Sequence, residues 1–141
     1  MRRRKPIKRK SQRQRIIEEI RNLTREILKI ERGNISSISG RSDVPLGLFH
    51  ILPVGLYPRL QFHKENLLLC EWFPYHHWWH HYSEKDKVNA HTVRRIEETV
   101  GANYRERLEI LNAGSQALTD AYLGMLRDVR KQELKELGGK L

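Results

Sequence analysis

Four of the seven histidines in this 141-residue chain stand in one six-residue window, His76-His77-Trp78-Trp79-His80-His81. Residues three or four apart share a helix face, so the pairs 76/80, 77/81 and 77/80 put at least two imidazoles side by side. Neutral imidazole nitrogens are common ligands of zinc and other divalent ions, and a shared face of them is a metal-binding pattern. Packing would leave a similar pattern, and Trp78 and Trp79 read as packing residues. Two further polar residues stand at the edges of apolar runs: His50 within 48–52, and Asn66 immediately before 67–70. A histidine near neutral pKa is also a proton acceptor at physiological pH.

The elements that must position these groups can be read from periodicity. Ile16, Ile20, Leu23, Ile27 and Ile30 recur at steps of four, three, four and three, which predicts a long amphipathic helix over 12–32, closed by Gly33 and Asn34. The Ser-, Gly- and Asp-rich segment 35–46 predicts a loop or the start of a hairpin. The runs 48–52 and 67–70 have strand length, and Pro53, Gly55 and Pro58 lie between them, so a two-stranded antiparallel ribbon with a long connection is expected. Pro74 suits the first turn of a helix that carries the histidines. Helices are expected over 90–100 and 102–111, and a last one over 115–137 shows Leu118, Tyr122, Met125 and Val129 at steps of four, three and four. The two long helices can pair with each other or, as a homodimer, with a second subunit. The fold class expected is α+β, mostly helical around a small strand–strand–helix unit.

The order of a strand bearing His50, a loop ending in Asn66, a second strand and a helix of histidines resembles the HNH, or ββα-metal, nucleases. The segment Arg59-Leu60-Gln61-Phe62-His63-Lys64-Glu65-Asn66-Leu67-Leu68-Leu69-Cys70, followed by His-His-Trp-Trp-His, is similar to the HNH segment of phage recombination proteins of the NinG type, and the likeness runs over about 15–112. The resemblance implies a DNA endonuclease acting in phage recombination or processing, on duplex or branched DNA. It makes His50 the general base and Asn66 the residue that holds the loop and orients it. His76 or His77, with His80, would hold one divalent ion, Mg2+, Mn2+ or Zn2+, at the scissile phosphate and the leaving 3′ oxygen. Arg59 becomes a phosphate contact. The ordinary histidine range predicts activity rising through about pH 6 to 7.

The chain also departs from that family. Where many relatives carry a zinc knuckle of two C-x-x-C pairs, it has Ser36 and Ser39 in the first pair, and Cys70 with Phe73 in the second. No structural zinc is expected, and Phe73, Trp72 and the long helices should brace the unit by packing. The position before the base is Phe49, which cannot bind a metal. A catalytically degenerate DNA-binding protein on the same scaffold is the alternative reading.

Charge points to the partner. Residues 1–15 hold nine cations and no acid, whereas the other 126 residues carry 18 cations against 17 acids. A basic arm over 1–14, disordered alone and ordered on nucleic acid, is therefore expected, with Arg2, Arg3, Arg4, Lys5, Lys8, Arg9 and Lys10 as phosphate contacts and 15–141 as a single domain. An RNA partner is not excluded by charge. Ile7 is the arm's one large apolar residue, so membrane binding is not expected, and no run approaches a membrane span. The lone Cys70 has no internal disulfide partner. Together these features fit a cytoplasmic protein, in the bacterial host cytoplasm if phage-encoded.

Overall fold

The computed structural model describes residues 9–139. Helix α1 spans Gln12–Arg32 and opens with a reciprocal cap, in which the Ser11 hydroxyl accepts from the Gln14 amide and the Gln14 side chain accepts from the Ser11 amide. Its C-terminus is stopped by Gly33 at φ +83°, a left-handed conformation that a side chain would strain. Strands β1 (Gly47–His50) and β2 (Leu67–Cys70) form an antiparallel pair with Gly47 opposite Cys70 and His50 opposite Leu67. A wide turn at Trp72–His76 leads into the short helix α2 (His77–His81), and α3 (Ala90–Val100), α4 (Tyr104–Gly114) and α5 (Asp120–Glu136) complete the chain. This is an α+β fold dominated by helix.

Alternation along the ribbon divides the core. Phe49, Leu68 and Cys70 face a cluster with Ile96 of α3 and Tyr104 and Leu108 of α4, whereas Leu48, Leu67 and Leu69 pack on Leu28 of α1. Both faces of β2 are thereby buried, which explains a run with no polar residue. The two long helices pair with each other. Leu23 and Ile27 meet Leu134, Ile20 meets Leu123 and Phe62, and Lys131 pairs with Glu19 at 3.1 Å.

The structure corrects several sequence expectations. The apolar stripe expected on the last helix is not its buried face: Met125 and Val129 are 52% and 44% exposed, and Leu123, Arg130 and Leu134 are buried instead. Arg130 is drawn inward because its guanidinium donates to the Phe62 carbonyl and pairs with Glu133. That helix also starts at Asp120, where the Thr119 hydroxyl caps it, rather than at Ser115. Of the arm expected over 1–14, residues 1–8, with Arg2, Arg3, Arg4, Lys5 and Lys8, lie outside the described residues. Residues 12–14 form the first turn of α1, and on the surface Lys10 pairs with Glu18 and Arg13 with Asp120. Among the described residues no helix is long and apolar enough to cross a membrane.

Candidate active site

The connection between the strands is held from inside by Asn66. Its side chain is fully buried; the carboxamide oxygen accepts from the Leu52 amide at 2.8 Å, and its nitrogen donates to the carbonyls of Leu52 at 3.0 Å and Leu60 at 3.4 Å. Without Asn66 the Leu52 amide and carbonyl would lie unpaired in an apolar interior, at a cost of about 1–3 kcal/mol each; the Leu60 carbonyl also accepts from the His63 amide. The clamp fixes the residues just after His50 and just before Gln61, and it is the Gln61 carbonyl that meets His50, 3.0 Å from Nε2. Asn66 therefore touches the loop and acts on His50 through it.

A carbonyl only accepts, so Nε2 of His50 carries the proton and Nδ1 keeps its lone pair. Burial is the main force that lowers the His50 pKa to about 4; the Gln61 bond opposes it, and the charges of Arg21 and His80 add to it. At neutral pH the ring is an uncharged acceptor with a fixed tautomer. The expectation of titration near 6 to 7 is thus corrected for the free protein, because desolvation and neighbouring positive charge disfavour the imidazolium.

The histidine window resolves into two pairs. His76 and His80 stack at a centroid distance of 4.8 Å with Nε2 atoms 3.0 Å apart, and His77 lies against His81 at 4.2 Å. His76 packs on Phe49 and carries a pKa lowered to about 4 by burial and then by His80 and His50; the pKa of His80 is also lowered, first by burial. His50 and His80 line one cavity of about 200 Å³ with Ile51, Pro53, Trp79, Glu84 and Arg105. The structure therefore groups His76 and His80 with His50. It places His77 in the other pair, against the rings of Trp72 and Phe73.

Two local devices aim the short helix. The Trp79 indole N–H donates to the Ile51 carbonyl at 3.1 Å while its ring packs on Phe49. At the C-terminus, buried Asn89 donates to the carbonyls of Trp78, Tyr82 and Ser83 and so ties the helix end to the segment that follows it. The helix begins later than Pro74 suggests. Phe73 is extended (φ −117°, ψ 137°), as a residue before proline prefers.

The donor set suits a divalent ion. Two nitrogens bound at about 2.1 Å to adjacent corners of an octahedron stand about 3.0 Å apart, and on a tetrahedron about 3.4 Å. The observed 3.0 Å falls at that short end. Among the described residues no three His, Cys, Asp or Glu side chains gather closely enough to hold an ion by themselves. An ion held by this pair would take two imidazoles from the chain and would complete its shell with other oxygen ligands.

Arg59 is not part of this group. Its guanidinium donates to the Ser115 carbonyl at 3.2 Å, on the side of Phe62 and His63. The cations near His50 are Arg21 of α1 and Arg105 of α4, the latter paired with Glu84. Periodicity could not have found them, because both stand on exposed helix faces and approach His50 only through tertiary packing. A larger cavity, about 590 Å³ between Arg32, Lys64, Tyr104 and Arg107, is lined by no histidine.

The corner where a knuckle would sit is closed by hydrogen bonds. The hydroxyls of Ser36 and Ser39 donate to the two carboxylate oxygens of Glu71 at 2.8 and 2.5 Å, and the Cys70 thiol lies 3.3 Å from the same carboxylate. Burial pulls the Glu71 pKa up, but the bonds from Ser39 and Ser36 outweigh it and hold the group below the usual carboxylate range. Burial and Glu71 push the Cys70 thiol well above its ordinary value. Trp72 and Phe73, expected to brace this corner by packing, are instead 55% and 66% exposed. The carboxylate already joins the two segments, which leaves both aromatics free to point outward.

Comparison with protein-family models, characterised proteins and solved structures finds none similar to this chain.

Proposed function

We propose that this protein is a metal-dependent DNA endonuclease of the HNH type, with His50 as general base and His76 and His80 as the metal ligands. One observation carries the reading: a neutral, tautomer-fixed histidine shares a cavity with one member of a histidine pair whose nitrogens converge at bonding separation. When bound, a divalent ion supplies Lewis-acid stabilisation of the charge that develops on the phosphate and the leaving oxygen. His50 takes the proton of the attacking water at Nδ1, while Gln61 holds its other nitrogen. A pKa near 4 keeps the ring available but makes it a weak base. A phosphodiester beside it brings negative charge that favours the imidazolium and raises the pKa toward neutrality in the complex. Arg21 and Arg105 are placed to receive phosphate oxygens, Arg105 by exchanging Glu84 for the substrate. The cations of 1–15 supply non-specific affinity for the backbone. The substrate class is duplex or branched DNA, as in phage recombination or processing. A homodimer through the long helices would have to use the outer face of α5, since the inner faces meet each other.

A second reading, a DNA-binding protein without catalysis, is favoured by Phe49, which is fully buried against His76 and Trp79 where a further ligand could stand. Plasmid and four-way-junction cleavage with magnesium, manganese or chelator separates the two. Metal-dependent products bearing a 5′-phosphate support the nuclease. DNA retention with no cleavage under any divalent ion supports the second reading, and absence of both overturns each.

A further inference from the structure

Beside the histidine pair the chain presents two aromatic rings whose inner sides pack on the histidines and whose outer sides stand in water. Trp72 is 55% and Phe73 66% exposed, although both follow a fully buried strand. The Trp72 ring lies 4.8 Å from His76 and 5.7 Å from His80, and Phe73 extends the surface outward, 5.9 Å from His77. Exposed apolar side chains are ordinary one at a time, but two adjacent aromatic rings in water at the rim of a polar site form the kind of contiguous patch that marks a binding surface. The occupant must be flat and apolar on its faces, and it must reach the rim of the histidine site. It must also suit a chain whose excess charge is positive. An unpaired nucleobase meets all of these conditions, whereas a stacked duplex hides its base faces and offers the rings only sugar and phosphate.

We infer that Trp72 and Phe73 form a stacking shelf for unpaired bases, so that the protein prefers DNA with a single-stranded segment, such as a fork, flap or open junction, over uniform duplex. The inference rests on the proposed function, whose substrate class it narrows. The phosphate next to a base seated on the shelf would lie toward His76 and His80, so cleavage would fall close to the junction of paired and unpaired DNA.

The test is fluorescence-anisotropy titration of the full chain in chelator with a poly-dT 12-mer, a forked duplex and a blunt duplex of equal charge. Phe73→Ala should weaken binding to the single strand and the fork by roughly 5- to 150-fold, the usual loss for one stacked base, and leave the blunt duplex within about twofold. Trp72→Phe should retain most of the affinity and Trp72→Ala should lose it, with thermal melting checking that each variant is folded. Equal affinity of the native chain for fork and blunt duplex, or unchanged fork binding by folded Phe73→Ala, overturns the shelf while leaving the nuclease reading standing. A dimer that Phe73→Ala dissociates without altering DNA binding, seen by sedimentation, also overturns it and assigns the surface to a second copy. If the native chain binds none of the three DNAs, the proposed function itself fails.

Discussion

Two polar clusters sit at opposite ends of the ribbon, and they differ in how completely they are satisfied. Around Glu71 one carboxylate takes donors from Ser36 and Ser39, so the cluster is closed and has no capacity for a ligand. Around His50 the balance is reversed: three imidazoles are held neutral, two of their nitrogens face each other, and a small cavity opens beside them. Saturated polar groups in a core act as structure, whereas acceptors without enough donors invite a cation or a proton. The corner where many relatives of the resembled family carry a zinc knuckle is thus joined by hydrogen bonds to Glu71.

The comparison breaks most sharply at His50. His50→Ala should lower single-turnover cleavage by roughly two to four orders of magnitude while leaving DNA affinity intact, the usual contribution of a positioned proton acceptor. Undiminished cleavage by a folded variant removes His50 as the base. If cleavage tracks the folded fraction instead, the residue is a packing group.

The pairing of histidines sharpens it next. His76→Ala or His80→Ala should raise the ion concentration needed for half-maximal cleavage by more than about tenfold, since loss of an outer-shell partner alone costs about that much. His77→Ala should leave this midpoint unchanged. A shifted midpoint for His77 and none for His76 would place the ion on the other face of the helix.

The closed cluster responds in stability, not in rate. Glu71→Gln should destabilise the fold by about 1–3 kcal/mol by weakening the acceptor that the buried Ser36 and half-buried Ser39 hydroxyls share, as read by denaturant unfolding, with cleavage per folded molecule unchanged. Strong chelator should not reproduce that loss, and two tightly held zinc ions per chain by elemental analysis would refute the hydrogen-bonded account of this corner.

Acid probes both clusters at once. His50 and His76 titrate near 4 in the fold and near 6.5 in an unfolded chain, so the unfolded state binds more protons between those values. Stability should fall as pH drops from about 6.5 to about 4 and level off below. The depressed carboxyl of Glu71 adds its own loss only below its usual range, at the acid end. Melting temperatures in chelator at pH 7, 5.5 and 4 check this, and a flat profile contradicts the lowered histidine values. In kinetics, the acid limb of kcat/KM, which reports the free protein, should lie below that of kcat, where the bound phosphate raises the His50 pKa.

Much of this was legible in the sequence because it is local. The 3.6-residue period over 12–32, the strand-length apolar run 67–70 and the stop signal at Gly33 and Asn34 act through neighbours in the chain, and the helix and β2 lie where periodicity places them. The one-turn spacing of 76 with 80 and of 77 with 81 likewise fixed which rings could pair. Periodicity misled on α5. Met125 and Val129 continue an apolar stripe, but the helix turns the face of Leu123 and Leu134 inward because Arg130 finds the Phe62 carbonyl and Leu134 meets Leu23 and Ile27.

The sequence by itself determined most of the elements, the set of histidine pairs that helical spacing allows and the gathering of charge at one end, since each depends on residue type and short spacing. Only the tertiary structure decided that His76 rather than His77 joins His50, that Gln61 fixes the tautomer of the base, and that Arg21 and Arg105 are the nearby cations while Arg59 is turned away. It also decided that Glu71 closes the serine corner and leaves Trp72 and Phe73 in water. Each of these is a contact between segments far apart in the chain, and such contacts are set by which faces bury together, a property of the whole core that no local window contains.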